Sequence, residues 1–418
     1  MYRINHSIDQ VEPSATLVIN ERSNQLIRSG KQVYKLGFGQ SPFPVPKSVI
    51  KALKKNAHQK DYLPVKGLEK LRIAVAQYHY NNKGLNYGQE DVIIGPGSKE
   101  LLFLTQLIYK GDLLLPQPSW VSYAPQAQIT SKKQFWLKTY VEDGYLLHPA
   151  TLNAYCLSNQ NSSKLLILNY PSNPTGSTYN KTQLKALAKI CRKHEILIIS
   201  DEIYGDVNHE GEHLSISQFY PEGTIISSGL SKWCGAGGWR LGTFVFPKEY
   251  RWLLDKMAIV ASETFTTTSA PIQYAAVRAY QGGRKIDQYL SQSRLILGRI
   301  ANECYQILTK NHLYCPLPRG GFYLMPDFEN YRDKLASKNI YSSVELCETL
   351  LEEIGVALLP LSAFGMDKTM LGVRLSYVDF DGKKALKTIK NDSNATPNEL
   401  GPKVMKGINL IIEWLQAL

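Results

Sequence analysis

No stretch of this chain stays apolar for long enough to span a bilayer, and Met1 to Ser23 mix charged and polar side chains without a sustained apolar run. The expectation is a protein with neither leader nor anchor, cytoplasmic and without a membrane partner. The six cysteines, at 156, 191, 234, 304, 315 and 347, form no C-x-x-C pair. That spacing argues against a structural zinc site and a disulfide framework, and leaves reduced thiols with packing roles. Cys234 follows the same reading, although it lies close to the lysine discussed below. Internal repeats and long low-complexity segments are missing too. The net charge is +12, yet its carriers (Lys51, Lys54, Lys55 and Lys60; Lys132 and Lys133; Lys383, Lys384, Lys387 and Lys390) are dispersed and join no nucleic-acid-binding module. They read as solvated faces, with an anion-binding pocket adding to the sign, and no nucleic-acid partner is expected.

What is present suits a folded protein of two or three domains: 418 residues, 44% hydrophobic and 20% charged. Short apolar runs without alternation recur along the middle of the chain: Val92-Ile93-Ile94, Leu165 to Leu168, Ile196 to Ser200, and Thr224-Ile225-Ile226. Such runs suit strands covered on both faces. Helical patterns between them, such as Lys181 to Lys193, suit crossover connections. The fold class is α/β with a mainly parallel central sheet. Further on, Glu345 to Ile354 predicts a helix, Val356 to Leu359 a strand, and Val404 onward a last helix. Asn391 to Pro402, rich in Asn, Asp, Ser, Pro and Gly, predicts a surface loop.

The segment from Ser228 to Gly242 is the most informative. Lys232 follows a short polar turn, glycines come next, and Arg240 stands eight positions on. A lysine amine bonds covalently to an aldehyde, and a guanidinium grips a phosphate with parallel hydrogen bonds. Pyridoxal 5'-phosphate, an aldehyde carrying a phosphate, fits both. A glycine-rich surface turn would look the same in isolation, so the remaining chain has to supply partners. Asp201, at the end of an apolar run, suits a carboxylate facing a protonated pyridine nitrogen; it would equally suit a helix N-cap. Asn173 sits in the turn Tyr170-Pro171-Ser172-Asn173-Pro174-Thr175-Gly176. Gly97, Ser98 and Lys99 stand between a strand and a helix, where free N–H groups and the helix dipole favour a phosphate, or where a helix simply begins. Asn173, Asp201 and Lys232 all fall just past the ends of apolar runs, where open α/β sheets hold ligands.

In order, these segments resemble the class I/II aminotransferases, the fold-type-I pyridoxal-phosphate enzymes, from about Gly39 to Arg374. The resemblance implies a large cofactor-binding domain at about 51–290 and a smaller α+β domain built from 1–50 and 291–418. It assigns Lys232 as cofactor anchor and proton carrier, Asp201 to the pyridine nitrogen, and Tyr204 and Asn173 to the ring oxygen. Trp120 would stack on the ring, with Tyr123 on the same wall. Gly97, Ser98, Lys99, Ser231 and Arg240 would form the phosphate site. Tyr62, in Tyr62-x-x-x-x-Gly67-x-x-x-Leu71-Arg72, would reach the phosphate of a second subunit in a homodimer with shared sites. Arg374, Asn173 and Gly39 would bind the substrate, and no metal is implied.

Two departures stand out. Gly229 replaces a serine common three positions before the lysine, leaving Ser228 or Ser231 to supply a hydroxyl. Leu361 replaces a glycine in Pro360-Leu361-Ser362-Ala363-Phe364-Gly365. The implied activity is ping-pong transamination between an L-amino acid and a 2-oxo acid. A C–S β-lyase or aminocyclopropane-carboxylate-synthase-like enzyme would use the same residues. A non-catalytic regulator would need an N-terminal DNA-binding module, and only about 40 residues precede Gly39. Ser262 to Ser269, where dicarboxylate-specific relatives carry a second arginine, holds none, which points to neutral or aromatic donors.

Overall fold

The computed structural model describes residues 6–9 and 11–418. Seven strands form the main sheet: β1 (Val92–Gly95), β2 (Asp112–Gln117), β3 (Gln134–Lys138), β4 (Lys164–Asn169), β5 (Leu197–Asp201), β6 (Thr224–Gly229) and β7 (Gly242–Val245). Their order is β1-β7-β6-β5-β4-β2-β3, and only β7 runs antiparallel to its neighbours. The apolar runs are continuous because both faces are covered. In β4, Leu165 and Ile167 pack with Leu101 and Leu253, from helices Ser98–Ile108 and Arg251–Ser262. Leu166 and Leu168, pointing the other way, pack with Leu184 and Leu187 of the helix Lys181–Lys193. That helix begins at a capping box, Asn180 with Gln183.

A three-stranded antiparallel sheet, β8 (Tyr323–Leu324), β9 (Leu359–Pro360) and β10 (Val373–Ser376), lies in the order β8-β10-β9. The N-terminal chain joins it. Tyr34 bridges Val356, the Ser376 N–H donates to the Leu36 carbonyl at 2.6 Å, and Arg22 pairs with Glu352. The smaller domain is thus built from both chain ends. We keep the divisions near 50 and 290 as a proposal; the second falls inside the continuous helix Arg284–Lys310, so no loop separates the parts there.

Two local expectations need correction. Val356 to Leu359 is not one strand: Val356 makes a single bridge to Tyr34, and regular pairing is confined to Leu359–Pro360. Asn391 to Pro402 is not all loop. Thr396 and Glu399 cap a short helix, Pro397–Leu400, reciprocally, and Ala395 and Leu400 anchor it in the core. The T-x-x-E spacing with proline at the first helical position carried that signal. β7 escaped notice because its glycine start hides a short strand.

Candidate active site

The strand ends meet in a cavity of about 640 Å³. Lys232, Asp201, Tyr204, Asn173, Trp120, Tyr123, Ser98, Lys99, Ser231, Arg240, Gly39 and Arg374 all line it. Ser14, Thr16 and Leu17, at the start of the helix Ala15–Arg28, line it as well.

Asp201 ends β5, opposite Ser227 of β6. The Tyr123 hydroxyl donates to its Oδ2 at 2.6 Å, and the Ser227 hydroxyl donates to its Oδ1 at 3.3 Å. Burial raises the Asp201 pKa, against the hydrogen bonds from Tyr123, the Ile203 N–H and Ser227. No cation among the described residues pairs with it, so the carboxylate is oriented but uncompensated. Across the cavity, Lys232 Nζ donates to the Gly39 carbonyl at 2.7 Å. Burial lowers the Lys232 pKa, favouring the neutral amine that attacks an aldehyde.

Arg374 is 2% exposed. Its Nη1 donates to Asn173 Oδ1 at 3.0 Å and its Nη2 to the Gly37 carbonyl at 2.7 Å, while Nε is buried without a partner among the described residues. Its guanidinium lies between the rings of Tyr323 (4.4 Å) and Phe364 (5.1 Å). A buried cation without a carboxylate is costly unless a ligand supplies the anion. Because a guanidinium only donates, Asn173 must turn its oxygen to Arg374, which leaves its Nδ2 as a donor.

The turn from β1 into the helix Ser98–Ile108 rests on close approach. Gly97 has φ +93°, and a Cβ there would stand 2.1 Å from Arg240 Nη2. Gly242 is as tight: a Cβ would lie 2.1 Å from the Ser98 amide nitrogen, which opens the helix Ser98–Ile108. Arg240, itself in the left-handed region at φ +53°, touches the carbonyls of Gly237 (3.0 Å) and Pro96 (3.3 Å) and pairs with no carboxylate among the described residues. Lys99 Nζ stands 5.0 Å from the Trp120 ring, its pKa lowered by burial and then by the positive charges of Arg240 and Lys232.

The model of the family "Aminotransferase class I and II" matches residues 31–381. The chain belongs to this family. It is 33% identical over 380 residues to the aspartate aminotransferase of Geobacillus stearothermophilus (88% of this chain, 93% of that one). It is 31% identical over 388 residues to the asparagine–oxo-acid transaminase of Streptococcus mutans (90% and 95%). The structure resembles the Thermus thermophilus aspartate aminotransferase with maleate at a TM-score of 0.85 and 27% identity, covering 99% of this chain and 100% of that one. This aminotransferase uses pyridoxal 5'-phosphate and moves an amino group between an amino acid and a 2-oxo acid by a ping-pong cycle. The residues fit the cofactor: an amine of lowered basicity, a buried carboxylate without a cation, and a glycine-lined cradle beside an arginine.

The departures in the aminotransferase motifs have physical reasons. At Gly229 a Cβ would meet the Leu241 carbonyl oxygen at 2.7 Å, so a serine has no room. Ser231 reaches the cavity; Ser228 points to the opposite face of β6, into a second cavity lined by Glu202 and His213. Leu361 is buried with Met325 and Phe364, and Phe364 backs the Arg374 guanidinium. Tyr62 lies outside the cavity and is 87% exposed. Cys234 is buried in the core, which pushes its thiol up to about 12. Tyr323 and Ser227 went unpredicted. Alternation along β6 could have placed Ser227 beside Asp201; no local signal marks Tyr323. Among the described residues no helix is long and apolar enough to cross a membrane.

Proposed function

We propose that this aminotransferase works on a dicarboxylic amino acid of the aspartate kind, with Lys99 holding the distal carboxylate. The chemistry supplied by bound pyridoxal 5'-phosphate is electron withdrawal from the α-carbon of an attached amino acid. Lys232 is its anchor and, when released, takes the Cα proton on Nζ and returns it to the product side. Asp201 faces the pyridine nitrogen, held there by Tyr123. Asn173 Nδ2 and the Tyr204 hydroxyl serve the ring oxygen, and Trp120 stacks on the ring. The Ser98 N–H, Ser231 and Arg240, with Gly97, receive the phosphate. Arg374 takes the α-carboxylate beside Gly39.

The observation that carries this reading is the buried guanidinium of Arg374, without a counter-anion among the described residues and facing Lys232 and Asp201 across one cavity. For the distal group, the lack of arginine in Ser262 to Ser269 points to neutral or aromatic donors. Two observations outweigh it. Lys99 brings a second ammonium, unpaired among the described residues, to the cavity from the helix Ser98–Ile108. The relatives are named for aspartate and asparagine, and the Thermus structure carries maleate, a dicarboxylate. A homodimer would give Tyr62, bare in a single chain, a neighbouring site to enter.

The test is a half-reaction screen. Cofactor-loaded protein is mixed with each amino acid and loss of the visible band is timed. Aspartate is expected to react fastest, and Lys99→Ala to weaken it about 10- to 100-fold while sparing alanine. Equal losses for both donors would refute the Lys99 assignment. Lys232→Ala removes turnover altogether; retained transamination would sink the site.

A further inference from the structure

We propose that Tyr323 is a positioning residue that sets the direction of the hydrogen bond from Tyr204. Its hydroxyl donates to the Tyr204 oxygen, so the Tyr204 proton points into the cofactor cavity. The inference deepens the proposed function and rests on Tyr204 serving the ring oxygen.

The geometry is specific. The two hydroxyls lie 2.7 Å apart, buried, and among the described residues neither has another hydrogen-bond partner. One of them must donate. If Tyr204 donated to Tyr323, its single proton would be spent and it could give nothing to a cofactor oxygen. If Tyr323 donates, both bonds form in sequence: Tyr323 O–H to Tyr204, and Tyr204 O–H to the ring oxygen. A bond received at the Tyr204 oxygen polarises its O–H and strengthens the bond it gives.

Two packing observations tie the Tyr323 hydroxyl to this place. The ring is clamped edge-on to Tyr204, with centroids 5.6 Å apart at 79°, and its face lies 4.4 Å from the Arg374 guanidinium. Opposite the hydroxyl, Gly39 leaves room that a Cβ would fill, 1.9 Å from the oxygen. Tyr323 belongs to β8 of the small sheet, whereas Tyr204 follows β5 of the large one. The bond therefore joins the small sheet, whose β10 carries Arg374, to the cofactor side of the site. Ring and hydroxyl have separate tasks: the ring backs the carboxylate clamp, and the hydroxyl aims Tyr204.

Tyr323→Phe separates these tasks. A donor to the ring oxygen stabilises its anionic form, so losing it raises the pH at which the visible band of the loaded protein titrates. Tyr204→Phe should raise that midpoint by about 1 to 2 pH units. Tyr323→Phe should raise it by about 0.3 unit. The double variant should match Tyr204→Phe alone, because Tyr323 acts through Tyr204. The KM for alanine should stay within about twofold in Tyr323→Phe, since the ring against Arg374 is intact; a general packing lesion would move it further. No shift in Tyr323→Phe beside a shifted Tyr204→Phe would overturn the relay alone. Additive shifts in the double variant would overturn it too. An unmoved Tyr204→Phe would overturn the assignment of Tyr204 beneath it.

Discussion

Asp201 and Glu202 are neighbours on one strand end, equally buried, and opposite in electrostatic fate. The strand alternation sends Asp201 into the cofactor cavity and Glu202 into the second cavity behind the sheet. Burial raises both. For Asp201 only neutral donors answer it, and the pKa stays raised. For Glu202 the positive charge of Lys83 and the nearby His213 overcome burial and hold it well below the usual carboxylate range. Lys83 Nζ bonds Glu202 Oε2 directly, His213 Nε2 stands 3.0 Å away off the hydrogen-bond axis, and the hydroxyls of Ser200 and Ser215 donate to Oε1. A carboxylate already satisfied inside the protein holds structure together. One left without a cation is free to meet a charge brought by a ligand, and the protein carries its desolvation cost until then.

Neutralising each in turn breaks the comparison most sharply. Asp201→Asn keeps the shape and the Tyr123 contact but removes the charge. Transamination should fall about 10³-fold, on the scale seen when a preorganised electrostatic partner is lost. The apoprotein should melt at an equal or higher temperature than the parent. A variant that melted lower and kept its activity would invert the assignment.

Glu202→Gln should do the reverse. Lys83, its side chain only 10% exposed, is left without its anion, which costs about 3 kcal/mol of stability. Denaturant unfolding reads that loss, while kcat of the folded, loaded fraction should change less than about threefold. Unchanged stability would mean that the cluster is not an internal lock.

The same contrast explains how much could be read from sequence. Lys181–Lys193, β4 and β5 were legible because a sheet covered on both faces needs unbroken apolar runs, and the crossover helix needs its own period. Asp201, Asn173 and Lys232 were legible because they stand where such runs stop. Glu202 was not, since Lys83 and His213 come from segments with no local reason to meet it. Tyr323 was hidden likewise: its partners, Tyr204 and Arg374, are 119 and 51 positions away and converge only when β8 and β10 pair. Pairwise contacts across distant segments leave no trace in spacing. Gly229 looked like a departure because the Leu241 carbonyl that forbids a serine is invisible without coordinates.

The acid limb of stability gives a gentler test of the second cavity. Glu202 has a depressed folded pKa, so its contribution is full above the unfolded carboxyl value of about 4.3 and is lost as pH falls through the folded one. His79, in the same cavity, is pushed down to about 3 by burial and then by Lys83. Its contribution is present above about pH 6.5, the ordinary imidazole value, and declines as pH falls towards 3. Asp201 has the opposite sign: its raised pKa is a penalty at neutral pH that is relieved on acidification. Stability of the apoprotein should therefore begin to decline below about pH 6.5, and His79→Gln should flatten the stretch from there to pH 4.5. An unchanged slope in that window would remove His79 from the account.

The smallest expected effect concerns the side of the comparison that waits for its partner. Tyr123 donates to Asp201 at 2.6 Å and is the strongest of the three hydrogen bonds that oppose the burial of that carboxylate. Tyr123→Phe keeps the ring against Trp120, whose centroid lies 5.3 Å away, so the wall of the cavity stays in place. Only the donated proton is lost. The Asp201 pKa then rises further, and the ionised form that a pyridinium needs is retained to a less acidic limit. The acid limb of kcat/KM should move to higher pH, and cofactor affinity near neutral pH should weaken by about tenfold, the usual scale for one hydrogen bond to a charged group. In an Asp201→Asn background, where position 201 no longer titrates, the same substitution should leave the acid slope of stability governed by Glu202 untouched, because the two side chains look to opposite faces of the sheet. A shift of the stability slope in that background would show that the two cavities are coupled through the strand, and the division of labour between Asp201 and Glu202 would fail.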